Sequence, residues 1–163
     1  MIINPLKIKP HIINELQYNM LLCYTGTTRL SAHIIDSQIQ NFVSGKKETV
    51  EAMDLMKQNA IDMKKALLIG KIEEFAELMN CGWEQKKKMS NKISSPKIDE
   101  MYEVAKKAGA ISAKISGAGG GGFMMIYCHF DKRHKVTERL EKLGGKIIDF
   151  QFEERGVQTW RVT

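Results

Sequence analysis

The sequence predicts an α+β domain with helices on one face of a mainly antiparallel sheet. Three observations carry this. The spacing of apolar residues switches between strand and helix periods in the order strand, four helices, strand, strand, helix, strand, strand. Two short β-prone stretches flank a run of glycines. The 163 residues, 43% of them apolar, suffice for one core, so a single domain is expected.

Each element has its own signal. Residues 16–25, LQYNMLLCYT, join an apolar run to β-prone Tyr, Cys and Thr and stop at Gly26, which predicts a buried strand. The preceding residues 1–15 hold Pro5 and Pro10 and are expected to connect into a domain spanning 16–163. After the polar loop Gly26-Thr27-Thr28-Arg29, the spacing of Leu30, Ile34, Ile35, Ile39, Phe42 and Val43 predicts an amphipathic helix ending at Gly45. A second helix is expected from about Glu48 to Leu68, with Val50, Met53, Met56, Ala60, Met63 and Leu67 as core, before Gly70. A third carries Ile72, Phe75, Ala76, Met79 and Trp83 into Lys86-Lys87-Lys88. Here Trp83 is expected as a core anchor and the lysines as a solvated helix end. Ser95 reads as an N-cap with Pro96 at the first helical position, and Ile98, Met101, Tyr102, Ala105 and Ala108 form the buried stripe before Gly109. AISAKIS and FMMIYC then read as strands on either side of the glycines. Asp131 is expected to cap a helix burying Val136, Leu140 and Leu143, which Gly144-Gly145 ends. KIIDFQF, residues 146–152, alternates as a half-buried strand does, and GVQTWRV reads as a last strand.

Composition excludes several classes. No stretch approaches the ~18 apolar residues of a membrane span, and MIINPLKIKPH lacks the apolar core of a secretory leader. Cys23, Cys81 and Cys128 lie far apart, with no zinc spacing and no disulfide framework, so a reducing cytoplasm is the expected location. His11, His33, His129 and His134 have no spacing that places two imidazoles on one helical face around a metal. Lys and Arg total 25 against 19 Asp and Glu, a net charge of +6, which fits a solvated basic surface or an anionic partner. Nucleic acid is a weak candidate for that partner, because no aromatic-lined basic strand and no helix-turn-helix signature accompany the charge.

The run Gly117-Ala118-Gly119-Gly120-Gly121-Gly122 is the feature that packing explains least, since so many glycines cost backbone entropy on folding. Such a loop either makes a tight connection between strands or lets successive N–H groups surround a phosphate. Gly117, Gly119 and Gly122 satisfy G-x-G-x-x-G, but the loop opens into the strand-like FMMIYC and not into a helix, so the dinucleotide-binding reading fails. No Gly-Lys-Ser/Thr follows, which excludes a Walker A loop. Lys114, three residues before the first glycine, either reaches a phosphate or lies on the surface.

The segment Lys114-Ile115-Ser116-Gly117-Ala118-Gly119-Gly120-Gly121-Gly122-Phe123 resembles the third conserved motif of the GHMP kinases, which include galactokinase, homoserine kinase and mevalonate kinase. Tyr24 to Ser31, Trp83-x-x-Lys86-Lys87, and the stretch from Ile93-Ser94 through Ala108-Gly109-Ala110 extend the likeness to nearly the whole chain, toward the branch acting on phosphorylated heptoses. Where the family carries Gly-Gly ahead of the lysine, this chain has Ser112-Ala113. The family's Gly-Leu-Gly-Ser-Ser-Ala nucleotide loop and its catalytic acidic residue belong to an N-terminal half and find no match here.

The resemblance implies the C-terminal domain of such a kinase: a ferredoxin-like antiparallel sheet, helices on one face and a helical insertion. It implies ATP and Mg²⁺, a phosphorylated sugar, with a heptose 7-phosphate foremost, and an N-terminal kinase half as partner. Ser116, Gly117, Ala118, Gly119, Gly120 and Gly121 would then lie at the ATP phosphates, and Thr25, Thr28, Arg29 and Lys114 at the acceptor, with no catalytic residue on this chain. Without its other half such a domain is expected to expose an apolar patch near the sheet or glycine loop and to self-associate as a homo-oligomer. The alternative is a folded, non-catalytic anion-binding or structural fragment.

Overall fold

A computed structural model describes residues 4–27, 31–153 and 156–162. Its elements run α1 (Pro10–Asn19), β1 (Met20–Tyr24), α2 (Ser31–Val43), α3 (Lys47–Leu68), α4 (Ile72–Met89), α5 (Pro96–Ala108), β2 (Ala110–Ile115), β3 (Phe123–Cys128), α6 (Arg133–Lys142) and β4 (Lys146–Ile148). The four strands pair in the order β2-β3-β1-β4, and every neighbouring pair is antiparallel. The strand order is the ferredoxin-like one expected, with four helices between the first two strands, but helices cover both faces of the sheet and not one, α5 and α6 packing on one side and α1 and α4 on the other.

Period-two alternation divides the sheet between two cores. Met124, Ile126 and Cys128 of β3 join one cluster with Ile98, Met101 and Ala105 of α5 and Val136 and Leu140 of α6. Tyr127 and Met125 belong to a second, with Ile12 and Leu16 of α1 and Ile72, Ala76 and Met79 of α4. The α3–α4 hairpin forms the helical insertion, and α4 packs along β2. Trp83 is 1% exposed, the core anchor expected. The Ser95 hydroxyl accepts from the Ile98 N–H, and Gly109 closes α5 in the left-handed conformation, both as read from the sequence.

Five expectations about single elements are corrected. Residues 16–19 end a helix and do not begin a strand: Pro10 opens α1, and Ile12 and Leu16, one turn apart, are both buried against α4. The strand at 146–152 stops at Ile148, and residues 149–153 and 156–162 form no strand. The reason lies on β1, where Leu22 pairs with Ile148, so a longer β4 would place Phe150 beside Met20. Arg133 donates instead to the carbonyls of Met20 (2.6 Å) and Tyr18 (2.5 Å), and these groups are no longer open to a strand. Asp131 does not cap α6; it lies in a 3₁₀ turn, Phe130–Lys132, and pairs with Lys132 at 2.8 Å. On α3 the fully buried residues are Thr49, Ala52 and Ala66, whereas Met53, Met56 and Met63 are half-buried.

Candidate functional site

The glycine run connects β2 to β3 at one end of the sheet, where the β2–β3 pairing ends at Ile115 opposite Met124. The Ser116 N–H still donates to the Phe123 carbonyl at 2.8 Å, and beyond it the chain leaves the ladder. Gly117, Gly119, Gly120, Gly121 and Gly122 all have positive φ, which explains why this segment is built from glycine. At two positions there is also no room for a side chain. A Cβ on Gly119 would lie 2.6 Å from the Ile93 carbonyl oxygen, and one on Gly121 would lie 2.4 Å from that of Thr27.

The loop is held from behind on both flanks. Gly120 N–H donates to Ile93 O at 2.7 Å, and Gly122 N–H donates to Thr27 O at 2.6 Å. Ile93 is fully buried in the segment between α4 and α5, which gives the first contact a rigid base. Thr25, also fully buried, donates its hydroxyl to Gly122 O at 3.0 Å, with Thr27 O 3.2 Å away, and its own N–H reaches the same Gly122 carbonyl at 2.9 Å. Ser116 and Gly120 thus use their N–H groups internally. Those of Gly117, Ala118, Gly119 and Gly121 carry no hydrogen bond among the described residues, so part of the loop presents free donors, the arrangement that accommodates an anion.

Two lysines approach the same region. Lys114 stands on β2, and Lys86 reaches across from α4 to donate its ammonium to the Gly117 carbonyl. Burial holds both ammonium groups below the ordinary lysine range, and for Lys86 the charge of Lys114 adds to the effect. Neither has an ion-pair partner among the described residues. The basic run at the end of α4 is therefore not uniformly solvated. Lys88 is exposed, Lys87 pairs with Glu84 at 3.1 Å and lies 5.1 Å from the centre of the Tyr102 ring, and Lys86 serves the loop. Sequence reasoning missed Lys86, and a signal for it existed: three residues after Trp83 on a helix is the same face.

Of the residues singled out from the sequence, Ser116 through Gly121 form one loop, with Ser116 and Gly117 exposed and Gly119, Gly120 and Gly121 buried. Lys114 is half-buried beside it. Thr25 is behind the loop with its hydroxyl engaged, so it supports the loop and presents no free donor to a ligand. Thr28 and Arg29 lie outside the described residues.

The fold defines the class: an α+β domain with a ferredoxin-like antiparallel sheet and, at one end of it, a glycine loop in which four N–H groups carry no hydrogen bond among the described residues. The family model for the C-terminal region of GHMP kinases matches residues 63–146, slightly over half of the chain, and the chain belongs to this family. It is 35% identical over 161 residues to D-glycero-alpha-D-manno-heptose 7-phosphate kinase of Campylobacter jejuni, covering 99% of this chain and 47% of that protein. Among solved structures, a D-glycero-D-manno-heptose 1-phosphate kinase of Bacteroides thetaiotaomicron superposes with a TM-score of 0.68 at 33% identity, over 99% of this chain and 42% of the other. A sugar kinase of Campylobacter jejuni gives 0.70 at 34% identity, over 99% and 44%. The chain thus spans less than half the length of each of these relatives.

Proposed function

We propose that this chain supplies the C-terminal half of an ATP-dependent kinase that phosphorylates an anomeric or primary hydroxyl of a heptose 7-phosphate, in a domain that includes α1 from Pro10 onward. The observation that carries the reading is the loop from Ser116 to Gly122, whose N–H groups at Gly117, Ala118, Gly119 and Gly121 are free while those at Gly120 and Gly122 anchor it. Phosphoryl transfer depends on positioning and on stabilising charge on the transferred group, and a pre-set array of amide donors does both. The Ser116 hydroxyl, exposed at the start of the loop, adds one more donor. Thr25 keeps the array in shape from behind. Thr28, Arg29 and Lys114 are assigned to the acceptor's phosphate, where a guanidinium grips a dianion bidentately.

Amide N–H groups fit the nucleotide's phosphates and offer no lone pair to a metal ion; the Ser116 hydroxyl could supply at most one oxygen to Mg²⁺, and its other ligands and the acid–base chemistry are assigned to the N-terminal kinase half. Two further features support a partner there. Ile35, Ile39, Phe42 and Val43 form an exposed row on α2, and Phe123, 42% exposed, packs at a tilt against the Tyr24 ring next to the loop. In the absence of that half the same row drives self-association into a homo-oligomer, visible by sedimentation. The site belongs to a soluble, cytoplasmic enzyme of carbohydrate metabolism.

The test is ADP release from Mg·ATP with a panel of phosphorylated heptoses and hexoses, for this chain alone and for the chain joined to an N-terminal GHMP kinase half. The expected result is silence from the folded chain alone and heptose-phosphate-dependent turnover from the joined protein. Turnover by the chain alone would show that the division of labour is wrong, and turnover confined to hexose phosphates would remove the heptose.

A further inference from the structure

Between α3, α4 and β2 lies a cavity of ≈ 190 Å³ lined by Met56, Met63, Met79, Trp83, Lys86 and Lys114, among others. It is several times the ~30 Å³ share of one liquid water, and its floor is thioether and aromatic. Its polar groups are almost all donors. Among the described residues Lys86 gives one N–H to Gly117 O and keeps two, and Lys114 keeps all three. The Trp83 indole N–H is buried behind the cavity wall, with no hydrogen-bond partner among the described residues. The remaining amide, Asn59, has its Nδ2 on the Leu78 carbonyl at 2.9 Å. A buried donor left unmatched is costly, and two partly desolvated ammonium groups without a carboxylate cost more. Two ammonium groups without a counter-charge at one cavity describe the complement of an oxyanion, and the Trp83 ring beside them reports on it.

We propose that Lys86 and Lys114 hold the dianion of a phosphomonoester in this cavity. Two ammonium charges balance a phosphate dianion, whereas a carboxylate would neutralise only one. Because Lys86 also holds the Gly117 carbonyl, occupancy is sensed by the first residue of the glycine loop. Filling the cavity would tighten that end of the loop and couple the phosphorylated ligand to the donors that follow it. The anion site stands without the kinase reading; only the identification of the phosphomonoester as the acceptor sugar rests on it.

The chain has two tryptophans, and Trp160 is 80% exposed, so a Trp160→Phe background leaves Trp83 as the sole indole. In that background Trp83 emission is titrated with inorganic phosphate, heptose 7-phosphate and ATP. Saturable binding of phosphate is expected, with tighter binding of heptose 7-phosphate if the sugar is the source. Lys86→Met and Lys114→Met should each weaken it about tenfold, while Lys88→Met, on the exposed face, leaves it unchanged. The unliganded Lys114→Met protein should denature at higher temperature than its parent, since an unpaired desolvated charge is gone; a merely structural lysine would shift it the other way. Heptose-phosphate binding without turnover by the joined protein would keep this site and remove the kinase reading. Binding of free phosphate alone would keep the site and detach it from the acceptor. No binding at roughly 10 mM, where even a millimolar site is mostly filled, or binding untouched by both lysine substitutions, would overturn it.

Discussion

Single residues decide the shape of the glycine loop, and two glycines separate conformation from close approach. Gly117 has φ +78° with nothing within 4 Å of an added Cβ, so Gly117→Ala carries only the left-handed backbone penalty, about 1 kcal/mol. Gly119 has φ +111° and the Ile93 carbonyl 2.6 Å from the Cβ position, in a segment too buried to yield. Gly119→Ala should therefore cost about 3 kcal/mol and break the Gly120–Ile93 hydrogen bond. Urea denaturation of the two variants, with amide exchange at Gly120, checks the contrast; equal losses would mean that conformation alone dictates the glycines. Sequence reasoning found this loop because five glycines in six residues are costly without a use. It could not see which N–H groups were already engaged, because their acceptors, Ile93 and Thr27, are remote in sequence.

At the scale of elements, the helices between β1 and β2 were legible because each carries its own stripe and punctuation, such as Ser95-Pro96 and Gly109 around α5. The sheet's edge was not. Whether residues 149–152 continue β4 depends on a partner, and Arg133, arriving from α6, takes the Met20 and Tyr18 carbonyls and also lies 6.0 Å from the Tyr18 ring centre. Arg133→Met removes both charged hydrogen bonds and should lower stability by about 2 kcal/mol, with faster amide exchange in α1's last turn and β1. Unchanged exchange at Met20 to Leu22 would show that the arginine is incidental to the edge. The start of α1 was hidden for a similar reason, since its apolar stripe is short and gains its value from α4.

For the whole molecule, burial of two thiols sets a limit on alkaline stability. Burial pushes Cys23 and Cys128 from an ordinary 9.0 up to about 11. Below pH 9.0 folded and unfolded thiols are both protonated, and this contribution is fully present; between 9.0 and about 11 the unfolded chain ionises first, so stability falls as pH rises. The loss is at most about 2–3 kcal/mol per thiol. Denaturation midpoints followed across this window should fall for the parent and fall less for a Cys23→Ala/Cys128→Ala variant. Lys86 and Lys114, held low by burial, act in the opposite direction in both proteins, so the comparison isolates the thiols. At the same scale, no helix among the described residues is long and apolar enough to cross a membrane.

By itself the sequence determined the α+β class, the run of four helices and the place of the glycine loop, because helical stripes, caps and glycines act over a few residues and need no distant partner. The tertiary structure decided where the sheet ends, that Thr25 supports the loop from behind, and that Lys86 leaves the solvated end of its helix for the Gly117 carbonyl. Each of these is a choice between water and a particular buried acceptor. The acceptor exists only once strands and helices far apart in the chain have packed together.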